Sequence, residues 1–383
     1  MRALWTAAVL AAFCFVWNPQ ARAFAAREPA VTADAAVVID LASGTVLYGK
    51  RVHHLMHPAS VTKMMTAVIA LERGYVGDVV TVSQYAAYTP GSCMGLAPGS
   101  RFLLEDLLSG LMLVSGNDAA VAIAEHIAGT EPAFVQLMNA RAREIGASST
   151  TFTNPHGLSE PGHMSTAYDL ALIARHGLSI PYFAGLVATR EREAWRLDRL
   201  SEVPLYSTNR LLGSYLGADG VKTGTTDAAG ACLCASATRG GMTFISVVLH
   251  SDARWDDSAR LLEWAFENFE QVVSLRRGDA AGRIAVSGGT RSSARVEAAA
   301  DLSGVIRKGE DSTLWLRLDM KDGVTAPVFR GDRVGSVALW TSDRLVSAVP
   351  LVASETVERW TPLRFAAGLF IAVIRALGLL GVG

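Results

Sequence analysis

Apolar residues at Val61, Met64, Met65, Val68 and Ile69 recur at three- and four-residue spacing, and Gly74 follows as a stop. The spacing predicts a buried amphipathic helix over residues 60–73. Ser60-Val61-Thr62-Lys63 opens it with a hydroxyl and an amine at i and i+3, on one face and close enough to interact. A serine hydroxyl is a poor nucleophile until a neighbour takes its proton. A lysine made neutral by burial or by a nearby cation can do so. Alone the pair is a weak signal, because any helix can carry a solvated or capping serine three residues before a lysine.

The surrounding pattern sets the fold class. Residues 35–48 read as two strands joined at Ser43-Gly44. Helical periodicity runs through 103–114, 118–128, 133–145 and 166–176, broken by Gly, Pro and Asn. Residues 231–237 and 243–250 read as strands around Arg239-Gly240-Gly241, and 258–269 as a helix. Helices packed on a sheet whose strands come from both ends of the domain make an α+β layer structure. That domain is expected over 24–273. A small all-β domain, its alternation clearest at Leu314, Leu316, Leu318 and Met320, is expected over 274–357 as a structural spacer.

Both termini carry membrane-related signals. Arg2, an apolar run from Ala3 to Trp17 and Ala21-Arg22-Ala23 read as a secretory signal over 1–23. The run is shorter than the ~20 apolar residues that span a bilayer. At the other end, Arg364 and Arg375 fall on one helical face with apolar residues around the rest. Residues 358–383 are therefore expected to form an amphipathic anchor on the membrane surface; docking on the protein itself or a tilted span are the alternatives. The chain is then secreted across the cytoplasmic membrane and held to its outer face.

A formal net charge of -1 leaves no basic surface for a polyanion, so nucleic acid is excluded as a partner. Thirty of the 35 basic residues are arginine, and lysine stands only at Lys50, Lys63, Lys222, Lys308 and Lys321. Lysine retained in such a chain points to places that need an amine able to lose its proton. Beyond Cys14 in the signal, Cys93, Cys232 and Cys234 are an odd number. Cys232 and Cys234 point the same way along a strand, where a bridge would strain the backbone, so buried free thiols are expected. His53, His54 and His57 cluster before Ser60, but without a nearby carboxylate or cysteine they read as polar loop residues.

Two further elements follow the Ser60–Lys63 pair. Ser115-Gly116-Asn117 lies between two helices, where Asn117 could simply cap the second. Lys222-Thr223-Gly224, with Thr225 after it, reads as an edge-strand clamp. There Lys222 can hold an anion and depress the pKa of Lys63, and Gly224 can let a substrate backbone lie close. The alternative is an exposed loop. The ordered trio S-x-x-K, S-x-N, K-T-G is the signature of penicillin-binding proteins and class A β-lactamases, far more specific than its parts.

With these motifs the chain resembles the low-molecular-mass penicillin-binding proteins that act as serine-type D-alanyl-D-alanine carboxypeptidases. The resemblance rests on Pro58–Ala67, Ser115–Ala119, Asn154-Pro155-His156-Gly157-Leu158, Ser165–Leu170 and Asp219–Gly224. It implies a transpeptidase-like domain of helices on an antiparallel sheet, followed by the small β domain. It implies Ser60 as the acyl-forming nucleophile, Lys63 as proton acceptor, Ser115 as proton relay, and Lys222 and Thr223 in substrate binding. Asn117 would contact the substrate amide, and the N–H groups of Ser60 and Thr225 would form an oxyanion hole. Arg254, in Ser251–Ser258, would meet the substrate's terminal carboxylate, whose geometry its planar fork matches.

The implied substrate is a peptidoglycan stem pentapeptide ending in D-Ala-D-Ala, with β-lactams as inhibitors and no metal or organic cofactor. Thr225 stands where some members carry histidine, which bears on the preference between substrates and β-lactams. A β-lactamase reading would need a carboxylate to activate water; Glu160-Pro161 is tempting, but Met164 stands where asparagine would follow. Endopeptidase or transpeptidase action shares the acyl-enzyme. A non-catalytic wall-binding scaffold would leave the intact Ser60, Lys63, Ser115 and Lys222 unexplained.

Overall fold

A computed structural model describes residues 28–362, together with positions 366 and 370. The expected signal, 1–23, lies outside the described residues, as does the expected anchor, 358–383, apart from 358–362 and those two positions.

The first domain is built on a five-stranded antiparallel sheet. Its strands are β1 (Ala35–Asp40), β2 (Val46–Lys50), β3 (Ala218–Thr226), β4 (Gly230–Arg239) and β5 (Met242–Leu249), in the spatial order β2-β1-β5-β4-β3. The inner strands are buried on both faces, which is why they read as continuous apolar runs. Ala35, Val37, Ile39, Ile245 and Val247 enter the large core on one side, and Ala36, Val38, Phe244 and Val248 a smaller core on the other.

The large core is shared by α1 (Lys63–Arg73), α2 (Leu104–Met112), α3 (Asn117–Ala128), α4 (Glu131–Ile145) and α5 (Ala167–Leu178). The opposite face is covered by α6 (Arg254–Asn268) through Leu261, Leu262 and Ala265. Residues Lys63 to Ala70 of α1 are all buried, so this helix is enclosed rather than laid on a surface. A 3-10 turn, Ala59–Thr62, precedes it, and Ser60 sits in that turn, not in the α-helix proper.

Cys232 and Cys234 are buried free thiols in the same core, and Cys93 is exposed. Periodicity missed a helix, Pro181–Ala188, and a small sheet formed by Val79–Thr81, Arg101–Leu103, Glu191–Arg196 and Ser201–Tyr206. These strands are short or largely exposed, and carry little apolar alternation.

At Asn268 α6 hands over to the strand Phe269–Leu275, which pairs with Leu302–Arg307 and straddles residue 273. Phe269 packs edge-on against Trp264 at 5.5 Å, and Lys308 Nζ donates to Phe266 O at 3.1 Å. The remaining strands make a six-stranded sheet over its own apolar core, with Val296, Val337, Leu339 and Leu351 at the centre.

Candidate active site

The free edge of β3 runs beside the segment that carries Ser60. A Cβ on Gly224 would lie 2.9 Å from Ser60 N and 3.1 Å from Pro58 O, so a side chain there would push strand and turn apart. The glycine thus lets the backbone of Ser60 approach, a role beyond the close substrate approach read from the sequence. From the other side Gly157, at φ +91°, meets the Ala59 carbonyl so closely that a Cβ would overlap it. Held between two glycines, Ala59 adopts φ 49°, a left-handed conformation that costs about 1–2 kcal/mol for a residue with a side chain.

Lys63 is fully buried and its Nζ has three neighbours: His156 O at 2.6 Å, Asn117 Oδ1 at 2.7 Å and Ser60 Oγ at 3.0 Å. Burial first, and the nearby Lys222 second, hold its pKa well below the ordinary lysine value; Asp118 acts in the opposite direction. A neutral amine has two N–H donors and one lone pair. The two carbonyl oxygens can only accept, so they take both donors, and the lone pair is left for Ser60. The Ser60 hydroxyl must then donate to Lys63, which is the polarity a general base requires.

Asn117 does not cap α3; Gly116 holds that position without a side-chain cap. Its carboxamide instead bridges Lys63 and the Pro90 carbonyl, to which Nδ2 donates at 2.6 Å. The next residue, Asp118, is wholly buried and accepts N–H bonds from Met94, Gly95, Leu96 and Ala119 at 2.9–3.0 Å. This carboxylate fixes the 90–96 loop over the start of α3. Ser115 is buried at φ 63°, and its hydroxyl makes no hydrogen bond among the described residues.

On β3, Lys222 is buried, and desolvation, then Arg254, lower its pKa to about 7. Its Nζ donates to Thr223 O at 3.1 Å. Arg254 Nη1 donates to Thr225 Oγ1 at 2.7 Å and to Gly224 O at 2.9 Å, while its guanidinium stacks 4.9 Å over Trp255. Thr223 Oγ1 is engaged by Thr208 Oγ1 at 2.8 Å.

Ala231, opposite Thr225, turns its carbonyl to Ser251 N–H on the far side. By the antiparallel alternation, Thr225 N–H faces the open edge. Ser60 N–H has no backbone partner among the described residues.

Two histidines that motif reading left without a role support this arrangement. His163 Nδ1 accepts from Thr153 N–H, so Nε2 carries the proton and donates to Thr62 Oγ1 at 2.8 Å, two residues from Ser60. Burial lowers its pKa to about 4 and that of His156 to about 3, keeping both neutral at physiological pH. His57 Nδ1 donates to His163 O at 2.9 Å and belongs to the same loop tie. Asn154-Pro155-His156-Gly157 was visible in the sequence, but its contact with Ala59 and Lys63 is tertiary. Glu160, in a cavity with Tyr85, Tyr88 and Glu131, makes no hydrogen bond to Ser60 or Lys63.

Known proteins match this geometry along the chain. The family model described as D-alanyl-D-alanine carboxypeptidase matches residues 22–253, and that of the penicillin-binding protein 5 C-terminal domain matches 269–359. D-alanyl-D-alanine carboxypeptidase DacF of Bacillus subtilis is 35% identical over 341 residues, covering 87% of each chain. DacC of Escherichia coli is 34% identical over 91% of this chain and 90% of its own. The crystal structure of penicillin binding protein 5 from Haemophilus influenzae superposes with a TM-score of 0.73 at 32% identity, over 86% of this chain and 99% of that one. The chain belongs to the D-alanyl-D-alanine carboxypeptidase family of serine peptidases, with a C-terminal domain of the penicillin-binding protein 5 type.

Proposed function

We propose that this protein is a serine D-Ala-D-Ala carboxypeptidase that trims the terminal D-alanine from peptidoglycan stem pentapeptides through an ester on Ser60. The observation that carries the reading is the fully enclosed Lys63 amine, 3.0 Å from Ser60 Oγ and with its pKa held well below the ordinary lysine value by burial. Ser60 Oγ bonds to the carbonyl carbon of the penultimate D-alanine as its proton passes to Lys63 Nζ. The amide C–N bond then breaks and the leaving nitrogen takes up that proton, with Ser115 as relay. The N–H groups of Ser60 and Thr225 stabilise the charged oxygen between these steps. Water next attacks the ester carbonyl and gives up a proton to Lys63; the acyl C–Oγ bond then breaks, and Lys63 passes that proton to Ser60 Oγ as the shortened peptide leaves with a new carboxylate. Arg254 and Lys222 supply the positive edge that recognises the free carboxylate, and Asn117 meets the substrate amide.

A β-lactam offers Ser60 an amide beside a carboxylate, and its leaving group stays tethered, so the acyl-enzyme persists. Intact-mass measurement with benzylpenicillin tests this, with wild type beside Ser60→Ala and D-alanine release assayed in parallel. Addition of one penicillin mass and D-alanine release by wild type alone is the expected result; an adduct on the alanine variant would remove Ser60 from the mechanism.

The order signal, catalytic domain, β domain and arginine-marked apolar tail supports a place on the outer face of the cytoplasmic membrane. A chain ending at residue 357 is expected to leave the membrane fraction, and its retention there would refute the anchor.

A further inference from the structure

The strand Trp315–Met320 closes one side of the six-stranded sheet. Its single partner is Arg333–Trp340, and no strand of the described residues pairs with its outer edge. Leu316 and Leu318 stand opposite Leu339 and Val337, which are buried, so the apolar side of the sheet runs off the edge into solvent. Leu318 and Trp315 are each 46% exposed. Sheet edges are commonly blunted by bulges, prolines or clustered lysines; this register runs unbroken from Trp315↔Trp340 to Met320↔Gly335.

Register also tells which backbone groups are free. Lys321 N–H donates to Val334 O in the same register, so Lys321, Asp319, Arg317 and Trp315 direct their backbone groups inward. The N–H and C=O of Leu316, Leu318 and Met320 therefore point outward. A two-fold axis through Leu318 pairs Leu318 with itself and Leu316 with Met320 of a second copy, all through these outward groups and all on one apolar face. On the other face it sets Arg317 against Asp319 and Trp315 against Lys321. An axis one residue away would set Arg317 against Arg317 or Asp319 against Asp319, and like charges directly opposite destabilise a ladder.

We propose that this edge is a homodimer interface, in which two chains join antiparallel through residues 315–321 into one continuous sheet. The interface is isologous, as a closed two-fold assembly demands, and its sequence is self-complementary in apolar contacts, in charge and in backbone polarity.

The test uses the full chain in mild detergent. In a Cys93→Ser background, Leu318→Cys should give a disulfide-linked dimer on a non-reducing gel. The two Cα atoms of a hydrogen-bonded antiparallel pair lie about 5.5 Å apart, within disulfide reach. Arg317→Cys, which faces Asp319 of the other copy, should not link. By sedimentation, Arg317→Asp should raise the dimer dissociation constant about tenfold, because two symmetry-related pairs turn repulsive. Adding Asp319→Arg to it should restore dimerisation. Retained penicillin labelling shows that each variant is folded. A wild type that stays monomeric at every concentration, or a charge reversal that leaves the dimer unchanged, overturns the proposal.

Discussion

Lys63 Nζ donates to Asn117 Oδ1 at 2.7 Å, and the same carboxamide donates to Pro90 O at 2.6 Å. The side chain proposed to meet the substrate amide therefore also sets which acceptors surround the Lys63 amine. Its orientation is fixed from both ends, since each end has one compatible partner.

Replacing that carboxamide with a carboxylate should expose the consequence. Asn117→Asp puts an anion beside Lys63, favours its charged form and raises its pKa. The acid limb of the pH profile for acylation by benzylpenicillin should move to higher pH, with the rate at pH 7 down at least about tenfold. An unmoved limb would mean that Lys63 is not the group whose deprotonation controls attack.

Lys222 should trade stability for function. Its amine has a pKa of about 7 when folded and an ordinary value of 10.5 when unfolded. The unfolded chain therefore holds the extra proton between those values, and this group's contribution is complete above pH 10.5 and lost as pH falls through 7. Lys222→Met should abolish D-alanine release and raise stability at pH 7 by about 1–4 kcal/mol. It should also flatten the rise of Tm with pH between 7 and 10. A lower melting temperature than wild type at pH 7 would contradict the account.

The two glycines on either side of Ala59 should be intolerant for a steric reason. Gly157→Ala adds a left-handed penalty of about 1 kcal/mol and an overlap with the Ala59 carbonyl, for a combined cost of about 3 kcal/mol or more and slower acylation. Gly95, at φ +85° with nothing within 4 Å of a new Cβ, is the control: Gly95→Ala should cost only about 1 kcal/mol. Urea denaturation of the two variants measures the difference.

Asp118 should matter as much as the residues that touch substrate. In Asp118→Asn one acceptor oxygen becomes a donor facing backbone N–H groups, for a cost of about 2–4 kcal/mol. The same change removes the anion that raises the pKa of Lys63, so the acid limb should move to lower pH, opposite to Asn117→Asp. Thermal melting and the acylation profile test the two halves separately.

Much of this was legible along the chain. The enclosed helix α1, the strands of the main sheet and the Ser60, Asn117 and Lys222 motifs follow from periodicity and from a short ordered signature. Others were not legible for a definite reason. His163 reaches Thr62 across 101 residues and Asp118 reaches Met94 across 24, and neither partner carries a local pattern that requires the other. Asn117 looked like a helix cap because capping is the local use of asparagine, and only the packed structure offers it Lys63 and Pro90 instead.

The sequence by itself determined the order of elements, the helix that begins at Lys63 three residues after Ser60, and the residue types able to exchange a proton there. Only the tertiary structure decided that Lys63 is fully enclosed, that its amine faces Asn117 and His156, and that Gly224 and Gly157 hold the backbone around Ser60 in place. Residue type and spacing are local properties. The pKa of a buried amine and the direction of its lone pair depend on groups brought close only when sheet, helices and loops close around it.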